Sequence, residues 1–295
     1  KFVKSLLSVP LPSYYYGYDA NHGWMLYWLL NFCGVVGVPV EEYLTLASHK
    51  VLGLVNNGGK SGIGGGVGQI GHIASTYASI LALVVVKEYK TLRSLRKPLE
   101  EWIWSLKNPD GSFRMHEGGE SDTRSTYCAL VIASLLGFNS AELAKGVPEW
   151  LALCQTYEGG FAGVPGTEAH GGYTFCGLAA LLLSLPGNEI SKKLHETVDV
   201  AALTRWTVSR QYQLEGGFCG RTNKLVDACY SFWIGAVLGI LEAVLDVESL
   251  FDREGLKAYI LNCCQDTKKG GLRDKPGKSS DFYHSNYAVM GLVIA

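Results

Sequence analysis

Ten consecutive positions, 221–230, hold Arg221, Lys224, Asp227, Cys229 and Tyr230. They lie in the Gly-rich stretch GGFCGRTNKLVDACYSFW (216–233), just ahead of an apolar run. A second stretch, GGLRDKPGKSSDFYHSNY (270–287), holds Asp274, Asp281, Tyr283 and His284. A carboxylate, a thiol and an imidazole are the donors of a catalytic zinc site, which takes three protein ligands and keeps a fourth position open. The pattern D-x-C followed by a distant His also fits a buried cysteine near an unrelated surface Asp and a capping His, so spacing alone leaves both readings open. Arg221 and Lys224 stand three apart, and EAHGGYTF (168–175) adds His170. Three donors at successive helix starts suit a phosphate or diphosphate; solvated loop charges are the alternative. In ESDTRSTY (120–127), Asp122 reads as an N-cap or a site carboxylate, and Arg124 as a site cation or a surface charge. Trp24, Trp28, Tyr77, Tyr127, Tyr173, Trp233 and Tyr287 all sit in apolar runs. They read as core, or as the lining of an apolar funnel.

The elements that position these residues repeat. Five segments align, each with a Gly pair or its equivalent, a polar loop, then a Tyr opening an apolar run: Tyr77, Tyr127, Tyr173, Tyr230 and Tyr287. A sixth, degenerate copy carries Tyr27 in NHGWMLYWLLNFCGVVG. This register superposes Tyr230 on Tyr287 and places Cys229 and His284 at neighbouring helix starts. Between the copies, segments such as EEYLTLASHKVLGL, LRKPLEEWIWSLK and AELAKGVPEWLALCQ alternate charge and apolar residues at three- and four-residue spacing. That spacing marks amphipathic helices. The Tyr-bearing runs are apolar nearly all round, so both faces must be buried. The unit is an inner buried helix, an outer amphipathic helix and a Gly-rich loop. Unequal unit lengths, and loops that gather the polar residues on one rim, favour a closed ring over an open solenoid. We therefore expect an all-α fold, an α/α toroid of six hairpins with Gly-rich loops on one rim, as a single domain over residues 1–295. A superhelical binding scaffold is the alternative.

Composition excludes several classes. The 295 residues are 47% hydrophobic and 18% charged, which rules out disorder. A net charge of -1 leaves no basic field for nucleic acid. The longest apolar runs, 178–185 and 232–241, are too short to span a bilayer. Eight cysteines among apolar neighbours, with no CxxC and no N-x-S/T sequon, read as buried thiols in a reducing compartment, so we expect the cytoplasm. GVGQIG (66–71) fits the dinucleotide fingerprint, but no strand or βαβ unit surrounds it. Walker A, G-x-S-x-G and the D-x-D-D proton donor of a terpene cyclase are absent. Residues 1–10 mimic a signal peptide weakly, without a cleavage pattern. Both ends, and a loop near 245–255, read as trimmed.

EAHGGYTFCGLAAL, EGGFCGRTNKLVDACYSFW and DKPGKSSDFYH closely resemble the protein farnesyltransferase β-subunit family, and the likeness runs from GWMLYWLL to NYAVMGL. The resemblance implies an α–α barrel of six hairpins. It implies zinc on Asp227, Cys229 and His284, and a prenyl diphosphate held by His170, Arg221, Lys224 and Tyr230. It places Trp24, Tyr127, Tyr173, Cys176, Trp233 and Tyr287 along the lipid funnel, and Trp28 and Tyr283 against a peptide. Arg124 would sit between the lipid and peptide sites, and Asp274 matches a carboxylate linked to magnesium. The family works as a heterodimer with a helical-repeat α subunit, and it farnesylates the Cys of proteins ending in a CaaX motif. Geranylgeranyl transfer by relatives of the same fold is the competing activity. The stretch 237–255 lacks a clear family pattern.

Overall fold

The computed structural model describes residues 17–138 and 140–295. The signal-peptide-like stretch 1–10 lies outside the described residues. Contacts divide the chain into two compact units, one ending at Leu143 and one beginning at Ala144.

In the first unit, α1 (His22–Val35), α3 (Ile73–Val85) and α5 (Thr123–Leu136) are the inner helices, with α3 packed between the other two. The outer helices are α2 (Leu44–Leu52) and α4 (Tyr89–Leu106), and a short α6 (Ser140–Leu143) follows α5. Sequence pattern explains the division. On α4, Leu92, Leu95, Leu99, Trp102, Ile103 and Leu106 are buried, while Arg93, Arg96 and Lys97 face water. On α3 the buried residues, among them Ile73, Thr76, Ala78, Ile80 and Leu83, surround the helix. Small residues such as Ala78 and Ser79 let the inner helices approach closely.

The second unit repeats the scheme with inner helices α8 (Gly171–Ser184), α11 (Tyr230–Leu245) and α13 (Phe282–Ile294), with α11 packed between the other two. Its outer helices are α7 (Val147–Cys154), α9 (Ile190–Thr197), α10 (Val200–Val208) and α12 (Arg253–Ala258), the last running on into a π-helical turn, Tyr259–Cys264. The segment AELAKGVPEWLALCQ, read as one helix, is two. Gly146 takes a left-handed conformation (φ 78°) and Pro148 sits in the first turn of α7, which breaks the run. The 237–255 stretch is the end of α11, a short connection and the start of α12. Asp246 ends α11 in the left-handed region (φ 54°). The buried Glu242 carboxylate then accepts from the Leu250 amide (2.7 Å) and from Arg253 (2.5 Å).

The Gly-rich loops are narrow turns closed by isolated bridges, such as Gly64–Gly71, Arg114–Ser121 and Cys219–Val226. Their hydrogen bonds define the repeat register. The amides of His72, His170, Asp227 and Asp281 donate to the carbonyls of Ile63, Phe161, Phe218 and Leu272. The amides of Ile63, Phe161 and Leu272 donate in turn to the hydroxyls of Thr76, Thr174 and Ser285. This register corrects the one based on tyrosines. Tyr230 matches Tyr173 and His284, not Tyr287, because backbone pairing rather than aromatic position sets the alignment. The tyrosines instead fall at several places in the first two turns of their helices.

Each of these loops also holds the start of the preceding inner helix. Ile73, Gly171 and Ala228 donate their amides to the carbonyls of Met115, Gly220 and Asp274 (2.7–2.9 Å). On the outer side, the Gln155 side chain clamps both the amide and the carbonyl of Asp199, and Gln211 does the same to Asp252. Asp199 and Asp252 cap α10 and α12, so each clamp fixes an outer helix start.

Candidate metal centre

The register places an N-cap position at the head of each inner helix. Asp281 fills it on α13: one carboxylate oxygen accepts the His284 amide (2.8 Å) and the other meets His284 Nδ1 (2.7 Å). Asp227 holds the same position ahead of α11, but that helix starts three residues later, after a turn. Its carboxylate accepts the Cys229 amide (2.9 Å) and faces His284 Nε2 (3.2 Å). Asp227, Cys229 and His284 thus converge, each offering one ligand atom, with these atoms within 4.8 Å of one another.

The electrostatics suit a cation. Burial pushes the Cys229 thiol well up, and the Asp227 charge adds to that. Cys229 is 4% exposed. Burial would also raise Asp227, but bonds from His284 and the Cys229 amide hold it down at about 2. Burial disfavours a charged His284, yet the Asp227 and Asp281 carboxylates outweigh it and raise the ring to about 9. A bound cation reverses this logic by drawing protons off the thiol and the imidazole. One sulfur, one nitrogen and one carboxylate, with a second carboxylate orienting the imidazole from behind, fit a divalent metal of borderline softness. Asp281 was noted from sequence without a role; its spacing of three from His284 is the signal that marks it as the orienting carboxylate. Asp274 does not join the trio. Its carboxylate pairs with Lys275, and its carbonyl takes the Ala228 amide and the Tyr259 hydroxyl.

Beside the trio, Tyr230 points at His170, with its hydroxyl 2.9 Å from Nε2. His170 caps α8 by accepting the Gly172 amide at Nδ1 (3.0 Å). A neutral ring that accepts at Nδ1 carries its proton on Nε2, so Tyr230 accepts it and keeps its own hydroxyl hydrogen free to donate. The Tyr230 ring lies against Gly220 so closely that an added Cβ would come within 2.0 Å of Cζ, which is why Gly220 has no side chain. Arg221 meets Glu168 (2.8 Å), and Lys224 is exposed. The loop between them is strutted. Buried Arg210 reaches Thr222 Oγ1 (3.1 Å), Thr222 donates to Glu158 (2.7 Å), and Tyr212 donates to the Lys224 carbonyl (2.8 Å).

Comparison with known proteins decides the family. The model of the prenyltransferase alpha-alpha toroid domain matches residues 1–295. The chain belongs to this prenyltransferase family. It is 44% identical to the protein farnesyltransferase β subunit of Pyricularia oryzae over 99% of its own length and 61% of the relative's. It is 43% identical to the β subunit of Schizosaccharomyces pombe, over 99% of the chain and 76% of that protein. It therefore spans less than two thirds of the first relative. Among solved structures, Candida albicans protein geranylgeranyltransferase-I complexed with GGPP has a TM-score of 0.79 at 23% identity, covering 99% of this chain and 88% of that one. The fold of the prenyltransferase toroid agrees with the helical-repeat expectation.

The aromatics expected along a prenyltransferase funnel fall into two groups. In the second unit, Trp233 packs tilted against Tyr287 (4.5 Å between centroids, 37°), Tyr283 packs on Tyr287 (4.8 Å), and Tyr173 lies against His170 (5.3 Å). Phe175 and Phe232, missed from sequence because they read as ordinary core, join this cluster. Cys176 is buried one turn along α8. In the first unit, Trp24 stacks on Trp28 (5.5 Å) and packs on Tyr77 (5.7 Å), whose hydroxyl meets that of Tyr127 (3.1 Å). Trp24 also walls a cavity of about 290 Å³ with Asn21 and His72. Asp122 is a true N-cap in a capping box, and Arg124 pairs with it (2.6 Å). None of the eight cysteines is joined in a disulfide, and no helix of the described residues is long and apolar enough to cross a membrane.

Proposed function

We propose that the chain is the catalytic subunit of a protein farnesyltransferase, moving a farnesyl group from farnesyl diphosphate to the Cys of a C-terminal CaaX motif. The observation that carries this reading is the convergence of Asp227, Cys229 and His284 in one unit with the His170–Tyr230 pair. The three residues would hold zinc, which when bound stabilises a peptide thiolate at its open position.

The chain's own groups then handle charge. The thiolate sulfur bonds to the first isoprenoid carbon as the bond from that carbon to the diphosphate oxygen breaks, giving a thioether and free diphosphate. Negative charge grows on the leaving oxygens. Tyr230 offers its free hydroxyl hydrogen there, and His170, Arg221 and Lys224 supply further donors, which is stabilisation of the transition state more than of the ground state. Arg221 must exchange Glu168 for the diphosphate, while Lys224 has an open path to it. Trp233, Tyr287, Tyr173 and Cys176, with Trp24 and Tyr127, would line the lipid path; Trp28 and Tyr283 would meet the peptide, with Arg124 between the two. Asp274 would take magnesium only by giving up Lys275.

This reading includes a closed ring formed as one domain, a helical partner subunit that completes the diphosphate site, and a cytoplasmic setting. Geranylgeranyl transfer remains the second reading, and the bulky Trp24 and Tyr287 favour the shorter lipid. The test is transfer to a CaaX peptide, with the two diphosphates in competition, by the chain co-expressed with a family α subunit. The farnesyl thioether should dominate, and Cys229→Ala should abolish both zinc retention and product. Full activity and undiminished zinc in Cys229→Ala would overturn the site.

A further inference from the structure

The outer helices carry an aromatic ahead of each Gly-rich loop. Bridges pair Lys107, Gln155, Gln211 and Gln265 with Phe113, Phe161, Phe218 and Leu272, so these four loop entries correspond. Five residues before the first three stand Trp102, Trp150 and Trp206; before Gln265 the matching aromatic is Tyr259, six residues back. Tyr259 fills the same place as the tryptophans. A Cβ added to Gly62, Gly160 or Gly217 would come within 2.5, 2.7 or 2.6 Å of Trp102, Trp206 or Tyr259 respectively. The extra residue is taken up by the π-helical turn Tyr259–Cys264, a form frequent at functional sites. The buried Trp206 indole nitrogen has no hydrogen-bond partner. Tyr259, 3% exposed, does have one: its hydroxyl donates to the Asp274 carbonyl at 3.1 Å. The same oxygen meets the Cys264 thiol at 3.6 Å and accepts the Ala228 amide at 2.9 Å. Ala228 stands between Asp227 and Cys229.

We propose that Tyr259 is a positioning residue of the metal centre: its hydroxyl pins the Asp274 carbonyl that holds the Ala228 amide, and so fixes the turn that presents Asp227 and Cys229. The proposal rests on the metal reading of Asp227, Cys229 and His284. A metal site tolerates only a few tenths of an ångström in its ligand distances. Two of its ligands flank one peptide unit, so the bond that anchors this unit controls both ligand atoms together. At the other helix starts the corresponding carbonyls, of Met115 and Gly220, take the amides of Ile73 and Gly171. At the ligand-bearing start the anchor is itself anchored, by an outer helix whose tryptophan has become a tyrosine and whose last turn has widened by one residue. Groups that orient metal ligands commonly contribute ten- to a hundredfold to metal affinity or activity.

The experiment loads the full protein with Co²⁺, measures its affinity by chelator competition and records the ligand-field bands, which report coordination geometry. Tyr259→Phe deletes one oxygen and leaves the ring against Gly217. Cobalt affinity should fall about tenfold, and the bands should shift, while the thermal transition of the metal-free protein stays near that of wild type. Undiminished affinity with unmoved bands overturns the proposal, and a lowered transition beside them would show that the hydroxyl only supports packing. Cys229→Ala separates the two readings. If it binds cobalt as tightly as wild type, the metal reading fails and the proposal with it; if it loses cobalt while Tyr259→Phe is unaltered, the proposal alone fails. Should Tyr259→Phe not fold, Gly217→Ala displaces the same ring from the other side, and unchanged cobalt affinity and bands in that variant decide against Tyr259.

Discussion

Asp227 and Asp281 occupy the same register position on successive inner helices, and they grip opposite nitrogens of one ring. Asp281 meets His284 Nδ1 at 2.7 Å and Asp227 meets Nε2 at 3.2 Å. With metal bound, the Nε2 side becomes the ligand face, and Asp281 alone fixes the tautomer. Asp281→Asn keeps a capping oxygen but loses the charge that orients the imidazole. Metal affinity should fall about ten- to a hundredfold by chelator competition, with little change in thermal stability. Unchanged affinity would remove Asp281 from the site.

Protons compete with metal here, and the direction is fixed by the ligands' own titrations. His284 titrates at about 9 and Cys229 well above its ordinary value, so both hold protons at neutral pH in the metal-free protein. Asp227, at about 2, has none to release. Apparent metal affinity should therefore climb through pH 6 to 9, by up to about tenfold per unit for each proton displaced. A flat profile would contradict the ligand set. Without metal, the His284 contribution to stability is full below about 6.5 and fades as pH rises through about 9. The Asp227 contribution is full above about 3.9 and fades as pH falls through about 2.

Gly220→Ala tests the diphosphate donors apart from the metal. The new methyl would collide with Tyr230 Cζ. Overpacking of this kind costs about 1–3 kcal/mol, and here part of it is relieved by turning the ring away from His170. Prenyl diphosphate binding should weaken about tenfold, while metal content stays unchanged. Loss of metal with retained lipid binding would show the opposite coupling and refute the assignment of Tyr230.

The strut behind the Arg221–Lys224 loop predicts a separable effect. Thr222→Val breaks the link from Arg210 to Glu158 without touching Arg221 or Lys224. Removing one such bond costs about 1 kcal/mol. KM for the prenyl diphosphate should rise several-fold, with the peptide KM unaltered. A change confined to the peptide would mean that this loop does not face the lipid.

Lipid length is tested at Trp24. Replacing it by Thr frees space for much of one isoprene unit, and each buried CH₂ contributes about 0.8 kcal/mol. After imperfect packing, a shift of about 1.4 kcal/mol, or tenfold, toward geranylgeranyl diphosphate is expected in competition assays. A mutant that rejects the longer lipid as strongly as wild type would show that Trp24 does not limit length.

The repeat and its two kinds of helix were legible because burial leaves a periodic trace, clear in the one-sided Leu92–Leu106 pattern of α4. Asp227, Cys229 and His284 were legible as donor chemistry, and the repeat brought Cys229 and His284 to neighbouring helix starts although they are 55 residues apart. The register was misread because tyrosines were used as markers. Backbone pairing, visible only in three dimensions, sets it from His72, His170, Asp227 and Asp281. Local spacing also hid the supporting contacts. Glu168 and Arg210 look like unremarkable polar residues until Arg221 and Thr222 are beside them.

His72, Asp122, His170, Asp227 and Asp281 all stand where an inner helix begins. A helix start needs only one oxygen or nitrogen acceptor from such a side chain, and each of these groups has bonding capacity to spare. What is left over, carboxylate lone pairs on the aspartates and the second ring nitrogen on the histidines, projects from a stiff turn. A chain that multiplies one hairpin thereby multiplies anchored, half-used ligands, and each copy can acquire a different task while still closing its helix. Chemistry in such an architecture arises at the seams between duplicates, so no single hairpin holds a complete reaction centre, and activity is a property of neighbours.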